Sequence, residues 1–202
     1  MMIDVETIGR LHATTVRRWH EDEIDQRYEG FLSLACRQHE QNFRLWHEED
    51  IARSPAVSDA ELARVKRNID RLNQQRNDLI EQLDDHLIGV LAAAGVEVWP
   101  EAQLNTETPG SAIDRLSILS LRIYHMQQQA ERAEADEPHR TKARAKLKIL
   151  FQQHRDLSRS LAELLEDIFS GRQRLKVYRQ FKMYNDPAMN PYLYQAKQKP
   201  AA

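Results

Sequence analysis

Four polar side chains occupy helix positions where the surrounding pattern calls for apolar ones. They are His39 and Asn42 in the second predicted helix, Arg76 in the third and His154 in the fifth. Burying an unpaired arginine costs several kcal/mol, so Arg76 requires either a carboxylate partner or an anionic ligand. Three carboxylates are candidates for that pairing: Glu49, Asp78 and Asp114.

Helix midpoints meet when helices pack antiparallel, so these side chains predict a polar layer across a bundle, with Ser117 beside the stripe of the fourth helix. One interpretation is a functional site in which Arg76 binds an anion. Four other side chains would then contact hydroxyl groups or transfer protons: His39, Asn42, Glu49 and Asp114. The other interpretation is structural, with hydrogen-bonded core histidines, a salt bridge and polar residues that fix helix register. The sequence leaves both open.

The start of the fourth helix is a second candidate for ligand binding. Thr108 fits the N-cap position and Pro109 the first helical position. The backbone N–H groups of Gly110 and Ser111 would then point outward at the positive end of the helix dipole, which suits an anion. Arg115 adds a positive charge one turn further on. Plain helix capping, without any ligand, would use the same residues.

Long amphipathic helices must position these side chains. Apolar residues recur at 3-4 spacing over five segments: Asp4–Asp22, Asp25–Arg53, Leu62–Val90, Pro109–Ala135 and Lys142–Ser170. With mostly short connections, they predict an all-α antiparallel bundle of about five long helices over residues 1–171. The strict repeats of the third and fifth helices suit packing between chains as well, so a homo-oligomer is an alternative to a monomer.

Residues 172–202 have a different character. Tyrosine and phenylalanine alternate with lysine and arginine, and seven Lys/Arg against one acid follow residue 169, although the net charge of the chain is −2. We expect an irregular basic-aromatic arm, packed on the bundle or extending from it, whose Arg179 and Lys182 are further candidates for holding an anion. Such a pattern also suits nucleic acid. The acidic body and the lack of a nucleic-acid motif make that partner less favoured.

The composition of the chain restricts the classes of protein to which it can belong. A single cysteine, Cys36, excludes an internal disulfide framework and predicts a packing thiol in a reducing compartment. The longest uncharged stretch, 87–96, is too short to span a bilayer, and the N-terminus predicts no signal peptide, so we expect a cytoplasmic protein.

No metal site is predicted and no cofactor is identified, because His-Glu-x-x-His and paired Glu-x-x-His motifs are missing. Glu131-x-x-Glu134 and Glu163-x-x-Glu166 resemble the acidic Mg²⁺ motifs of all-helical nucleotide pyrophosphohydrolases, without the second motif that those enzymes carry.

Longer stretches resemble a bacterial family named domain of unknown function four-two-five-four. The diagnostic segments are 42–50 (NFRLWHEED), 107–119 (ETPGSAIDRLSIL) and 177–187 (VYRQFKMYNDP), and segment 69–78 (IDRLNQQRND) fits as well. The resemblance covers about residues 5–194. It implies no assigned activity, and it implies an association with gene clusters for surface polysaccharide and lipopolysaccharide assembly. Segment 110–119 and the Leu-Trp-x-x-Glu-Asp segment 45–50 are also similar to another uncharacterised bacterial helical family, and this likeness implies that Trp46 belongs to a common pocket. Asn73, in segment 69–78, is a further candidate ligand-binding residue.

The first functional hypothesis is therefore a cytoplasmic protein that binds or acts on a phosphorylated or nucleotide-linked sugar in surface glycan assembly of the lipopolysaccharide type. One alternative is a non-enzymatic interaction or scaffold protein that binds a glycosyltransferase through its arm. Another is a metal-dependent hydrolase of phosphoanhydrides. The sequence does not decide whether the protein is an enzyme.

Overall fold

Helices dominate the fold of the chain, for which a computed structural model describes residues 3–179, 183 and 186–196. They are α1 (Val5–Glu21), α2 (Gly30–Ala52), α3 (Asp59–Ala93), α4 (Pro109–Glu131), α5 (Glu137–Phe169) and α6 (Pro191–Ala196). The predicted all-α class is confirmed. Within the described ranges, every helix is too short or too polar to span a membrane.

Side-chain caps fix the start of α1, α3, α4 and α5. The side chains of the four N-cap residues accept hydrogen bonds from first-turn N–H groups, as is usual at this position: Asp4, Ser58, Thr108 and Asp136. Because Asp136 caps α5, this helix begins at Glu137 and not at the predicted Lys142. Pro138 lies in its first turn, where a proline removes no hydrogen bond, so it does not break the helix as the sequence suggested.

α1 and α2 run in the same direction. The rings of His12 and His39 have centroids 4.6 Å apart, and those of His20 and His47 are 5.2 Å apart. A step of eight residues towards the C-terminus on each helix therefore leads from one contacting pair to the next, as parallel helices require. This parallel pair departs from the purely antiparallel order expected, in which consecutive helices reverse direction.

The connection between these parallel helices must return over their length. Residues 22–29 do so without forming a helix. Arg18 on α1 holds the connection by an ion pair with Asp25. For this reason α2 begins at Gly30, later than the predicted Asp25.

The main core lies where five helices meet. Its fully buried members come from α1 to α5 and include Ile8, Ala35, Leu83, Ile113 and Leu161. The apolar stripe of α5 was predicted to be buried along its length. Only its C-terminal part is, at Leu161 and Ile168, while Leu147 and Leu150 remain partly exposed.

Two short strands join the end of α5 to the loop before α4. β1 (Gln103–Leu104) pairs in parallel with β2 (Gln173–Arg174). Beyond β2, Arg179 forms ion pairs with Glu81 and Asp85 on α3, so the chain up to this residue packs against the bundle. The proposed division into a bundle (1–171) and an arm (172–202) remains a prediction.

Candidate functional site

The carboxylate of Asp114 is the centre of a buried polar network. Its Oδ1 accepts hydrogen bonds from Gln38 and from Nδ2 of Asn42, the latter at 2.9 Å. The Nε atom of Arg76 lies 3.1 Å from the same oxygen. Of the three carboxylates that could have paired with Arg76, Asp114 is therefore the one in contact.

Burial and pairing act in opposite directions on this carboxyl group. Burial raises the pKa of Asp114, while the charge of Arg76 and the two amide donors oppose the rise without cancelling it. Arg76 itself is 27% exposed, and its Nη1 donates to Asn73 at 3.3 Å. The pair thus places a buried anion behind a partly exposed cation.

Ser117 extends the network into the core. Its Oγ accepts from Nδ2 of Asn42 at 2.9 Å and lies 2.7 Å from Nδ1 of His39. His39 is fully buried and packs against the rings of His12 and Trp19. Burial lowers the pKa of His39 to about 3, so this ring is neutral at physiological pH. With no exposed surface, it reaches a bound ligand only through Ser117, Asn42 and Asp114.

A cleft of about 380 Å³ opens beside this network, between α2, α3 and α4. We call it the Arg76 cleft, and its polar lining is Asn42, Trp46, Glu49, Asp50, Arg53, Asn73, Arg76 and Arg122. Glu49 forms an ion pair with Arg53 at 2.9 Å. Among the described residues, no ion pair neutralises Arg122. With Asp114 behind Arg76, three arginines and three carboxylates surround the cleft, and Arg122 is the arginine that is left for an anionic ligand.

A smaller cleft of about 270 Å³ lies on the other side of Arg76, at the start of α4. Here the N–H of Gly110 already donates to Oδ1 of Asp84 at 2.7 Å, and the N–H of Ser111 donates to the Thr108 hydroxyl at 3.2 Å. These donors are engaged within the protein. Arg115 pairs with Glu107 at 2.7 Å.

Gly110 has a packing role that the sequence did not indicate. A Cβ atom at this position would lie 2.6 Å from the backbone oxygen of Ile80 and 2.9 Å from the carboxyl group of Asp84. The glycine thus allows α3 and α4 to approach closely. Burial raises the pKa of Asp84, whose carboxyl group occupies the place at the helix start that the sequence suggested for an anionic ligand.

The structure brings eight of the predicted site residues together, while Gly110, Ser111 and Arg115 lie apart from them in the first two turns of α4. His39, Asn42, Asp114 and Ser117 form the network, and Trp46, Glu49, Asn73 and Arg76 line the cleft beside it. His154 lies elsewhere, in a groove between α1 and α5. Arg179 is engaged with α3, and Lys182 falls outside the described residues.

Sequence reasoning missed several contributors. Gln38 donates to Asp114 from one turn before Asn42, a spacing that could have identified it. His12 interrupts the apolar stripe of α1 in the way that His39 interrupts that of α2, and this break could have identified it. Arg122 carried no signal, because an arginine on an exposed helix face is common.

A second group of aromatic and histidine rings was also missed. His20, His47 and His125 come from three helices, with centroids 5.1 to 6.2 Å apart, and His125 stacks on Trp46. Burial lowers the pKa of His125 to about 4. Over the described parts of the chain, no group of three His, Cys, Asp or Glu side chains is arranged to hold a metal ion.

Of the comparisons with known proteins, the one with family models gives a match. A family model with the description "Protein of unknown function (DUF4254)" matches residues 32–177, which is more than two thirds of the chain and includes the network and the Arg76 cleft. Neither a curated protein nor a solved structure matches this chain. The protein belongs to the family of unknown function DUF4254.

Proposed function

We propose that the protein binds an anionic, hydroxyl-rich small molecule in the Arg76 cleft. The observation that carries the proposal is the pairing of Arg76 with Asp114, which leaves part of the guanidinium facing the cleft. Asp114 fixes the orientation of Arg76 before any ligand arrives. Such preorganisation lowers the entropic cost of binding.

The cleft offers the contacts that a phosphorylated sugar needs. Arg76 and Arg122 supply guanidinium groups, which bind phosphate oxygens in a planar, often bidentate geometry. Asn42, Asn73 and Asp50 offer amide and carboxylate groups for hydroxyls. Trp46 supplies an apolar surface for a sugar or base ring. A sugar phosphate or a nucleotide-linked sugar fits this combination.

Bacterial surface glycan assembly is the biological setting that we propose for this binding. The family resemblance associates such chains with bacterial gene clusters for surface glycan assembly, where nucleotide-linked sugars are used in the cytoplasm. A cytoplasmic role in polysaccharide biosynthesis of the lipopolysaccharide type is consistent with a cleft that presents the guanidinium groups of Arg76 and Arg122.

Binding is better supported than catalysis. A general base must reach the proton that it removes, and His39 is sealed behind Ser117 and Asn42. Glu49 lines the cleft but is paired with Arg53. Asp114 accepts from two amides and contacts Arg76 through one oxygen, an arrangement that favours a positioning role.

Calorimetric titration tests the proposal, with UDP-glucose, GDP-mannose and glucose 1-phosphate as probes and glucose as the uncharged comparison. We expect at least one charged probe to bind and glucose not to bind. Arg122→Ala and Asn73→Ala should weaken that binding about tenfold or more, the loss of one charge-assisted contact. Arg71→Ala is the matched control, because Arg71 is exposed on α3 and hydrogen-bonds only Gln75 among the described residues.

Two outcomes would overturn the proposal. One is that none of the charged probes binds to the folded protein. The other is that a probe binds and Arg122→Ala, Asn73→Ala and Arg71→Ala leave its affinity equally unchanged, which would place the ligand away from the Arg76 cleft.

A second candidate function is an interaction protein for a glycosyltransferase, which the exposed aromatics of the C-terminal segment favour. Tyr178 is 69% exposed and Tyr192 is 86% exposed, although tyrosine rings usually gain from burial. Deletion of residues 186–202 combined with Tyr178→Ala should then abolish co-purification of the glycosyltransferase while leaving affinity for sugar phosphates unchanged. Retained co-purification would exclude this role for the segment.

A further inference from the structure

Charge is distributed unevenly along α5. Its N-terminal half carries five basic side chains: Arg140, Lys142, Arg144, Lys146 and Lys148. Four acids are concentrated in its C-terminal half, Asp156, Glu163, Glu166 and Asp167, together with the two arginines Arg155 and Arg159. The two ends of such a helix are complementary to those of a copy that runs in the opposite direction.

One face of α5 combines this polarity with exposed apolar surface. Positions 144, 148, 151, 155, 159, 162 and 166 follow 3-4 spacing and therefore lie on one side of the helix. We call this side the 144–166 face. Phe151 lies at its middle and is 42% exposed. Phe151 thus gives this charged side of the helix an apolar centre, which gains free energy if a partner surface buries it.

A groove runs beside this face, between α5 and α1. Its volume is about 1010 Å³, and apolar groups such as Ala13, Ala162 and Leu165 lie along it. On the α5 side of the groove, Glu163 and Glu166 lie towards one end and Arg155 and Arg159 towards the other, while on the α1 side Arg10 pairs with Asp4 and Glu6. The α5 side of the groove thus has the same polarity as the helix.

Two charges, on the 144–166 face and at its edge, remain unpaired in the part of the chain that the structure describes. Neither Lys148 nor Glu163 forms an ion pair with any described residue, although both are exposed. Their neighbours Arg144 and Glu166 pair only with exposed groups, Glu137 and Arg172. Surface pairs of this kind are weak and exchange readily for others.

We propose that the 144–166 face is the interface of a homodimer, in which α5 packs antiparallel against α5 of a second copy. A two-fold axis near Arg155 places Lys148 opposite Glu163 of the second copy and Arg144 opposite its Glu166. Both ion pairs then occur twice, as the self-complementary contact of a two-fold dimer requires. Phe151 meets the groove of the other copy near its Arg159.

The length of α5 makes this contact large enough to be specific. Its 33 residues extend about 50 Å at ~1.5 Å per residue. Apolar burial of Phe151 and of the groove provides the attraction, while the terminal charges fix direction and register. The surface lies away from the Arg76 cleft, so the dimer is independent of the proposed ligand.

Sedimentation equilibrium of the full chain tests the proposal, with circular dichroism to confirm that each variant is folded. We expect the wild type to form dimers. Lys148→Glu and Glu163→Lys should each weaken dimerisation at least about tenfold, because each places like charges opposite each other twice. The variant with both substitutions should recover dimerisation, since the pair is restored with its signs exchanged.

Lys146→Glu is the matched control. It makes the same charge change two residues away, on the opposite side of α5, and should leave dimerisation unchanged. A monomeric wild type would overturn the proposal. So would an equal loss in Lys146→Glu, or a double variant that remains as weak as the single ones, because either result would remove the antiparallel register.

Discussion

Arg76 on α3 and Asp114 on α4 form an ion pair of unequal burial, with Nε and Oδ1 3.1 Å apart, in which only the cation has substantial access to solvent. The same contact therefore contributes to stability and presents a guanidinium to the Arg76 cleft. Because Asp114 also accepts from Gln38 and Asn42, loss of Arg76 would leave it partly satisfied rather than isolated.

Removal of this cation should destabilise the fold by a moderate amount. We expect Arg76→Ala to lower the free energy of unfolding by about 2 kcal/mol, the scale of a hydrogen bond to a charged group, because Asp114 then remains buried as an unpaired charge. Asp114→Asn in the Arg76→Ala background should recover part of that loss. Urea unfolding measures both. A double variant less stable than Arg76→Ala would show that the charge of Asp114 is not the source of the cost.

Close packing at Gly110 gives a second prediction. Gly110→Ala should lower the free energy of unfolding by about 1–3 kcal/mol, because the added methyl group overlaps the Ile80 oxygen and Asp84 and must push α3 and α4 apart. Gly89→Ala is the control, since a Cβ there meets no atom within 4 Å. This second change should stabilise α3 by about 0.5–1 kcal/mol. Equal effects of the two substitutions in urea unfolding would contradict the close-approach argument.

The polar layer was predictable from sequence because a polar residue in an apolar stripe faces inward whatever the neighbouring helices are. This reasoning found His39, Asn42 and Arg76, and it placed Asp114 among the possible partners. It could not choose Asp114 over Glu49, because the choice depends on the relative rotation and offset of α2, α3 and α4. An apolar stripe in the sequence shows which side of a helix is buried. It does not show which other helix packs against that side.

The direction of α2 relative to α1 and the close packing at Gly110 could not be predicted from the sequence. The parallel order of α1 and α2 depends on residues 22–29 staying extended, and their acidic and basic side chains are equally compatible with a helix. The role of Gly110 depends on Asp84 facing inward while the adjacent Asp85 faces solvent. Two consecutive aspartates give no sequence signal that distinguishes them.

Buried neutral histidines should make the protein less stable in mild acid. Burial holds the pKa of His39 at about 3 and that of His12 well below 6.5. As the pH falls below 6.5, the unfolded chain takes up protons at these positions and the folded chain does not. The free energy of unfolding should therefore decrease, by up to ~1.4 kcal/mol per pH unit for each histidine.

Substitution of one of these histidines isolates the effect. We expect His12→Phe to reduce the slope of the unfolding free energy against pH between pH 6.5 and 5, because His12 faces only His39 and His154 among titratable side chains and forms no hydrogen bond through its ring with described residues. Asp114 has the opposite effect on the free energy of unfolding in more acidic solution. Its raised pKa lets the folded state bind a proton before the unfolded state does. His139→Gln, at an exposed position, should leave the slope unchanged. A slope unaffected by His12→Phe would mean that other groups titrate.

The junction after α5 gives the last prediction. Gly171 has a φ of +77°, and a Cβ there would lie 2.2 Å from the backbone oxygen of Glu97. Gly95 has a similar φ of +64° but no atom within 4 Å of its added Cβ, so it serves as the control. Gly95→Ala should cost about 1–2 kcal/mol, the strain of a left-handed backbone alone. Gly171→Ala should cost more and should also accelerate hydrogen exchange in β1 and β2, because relief of the clash separates the loop from the end of α5. Equal losses for the two variants would mean that the contact with Glu97 yields without cost.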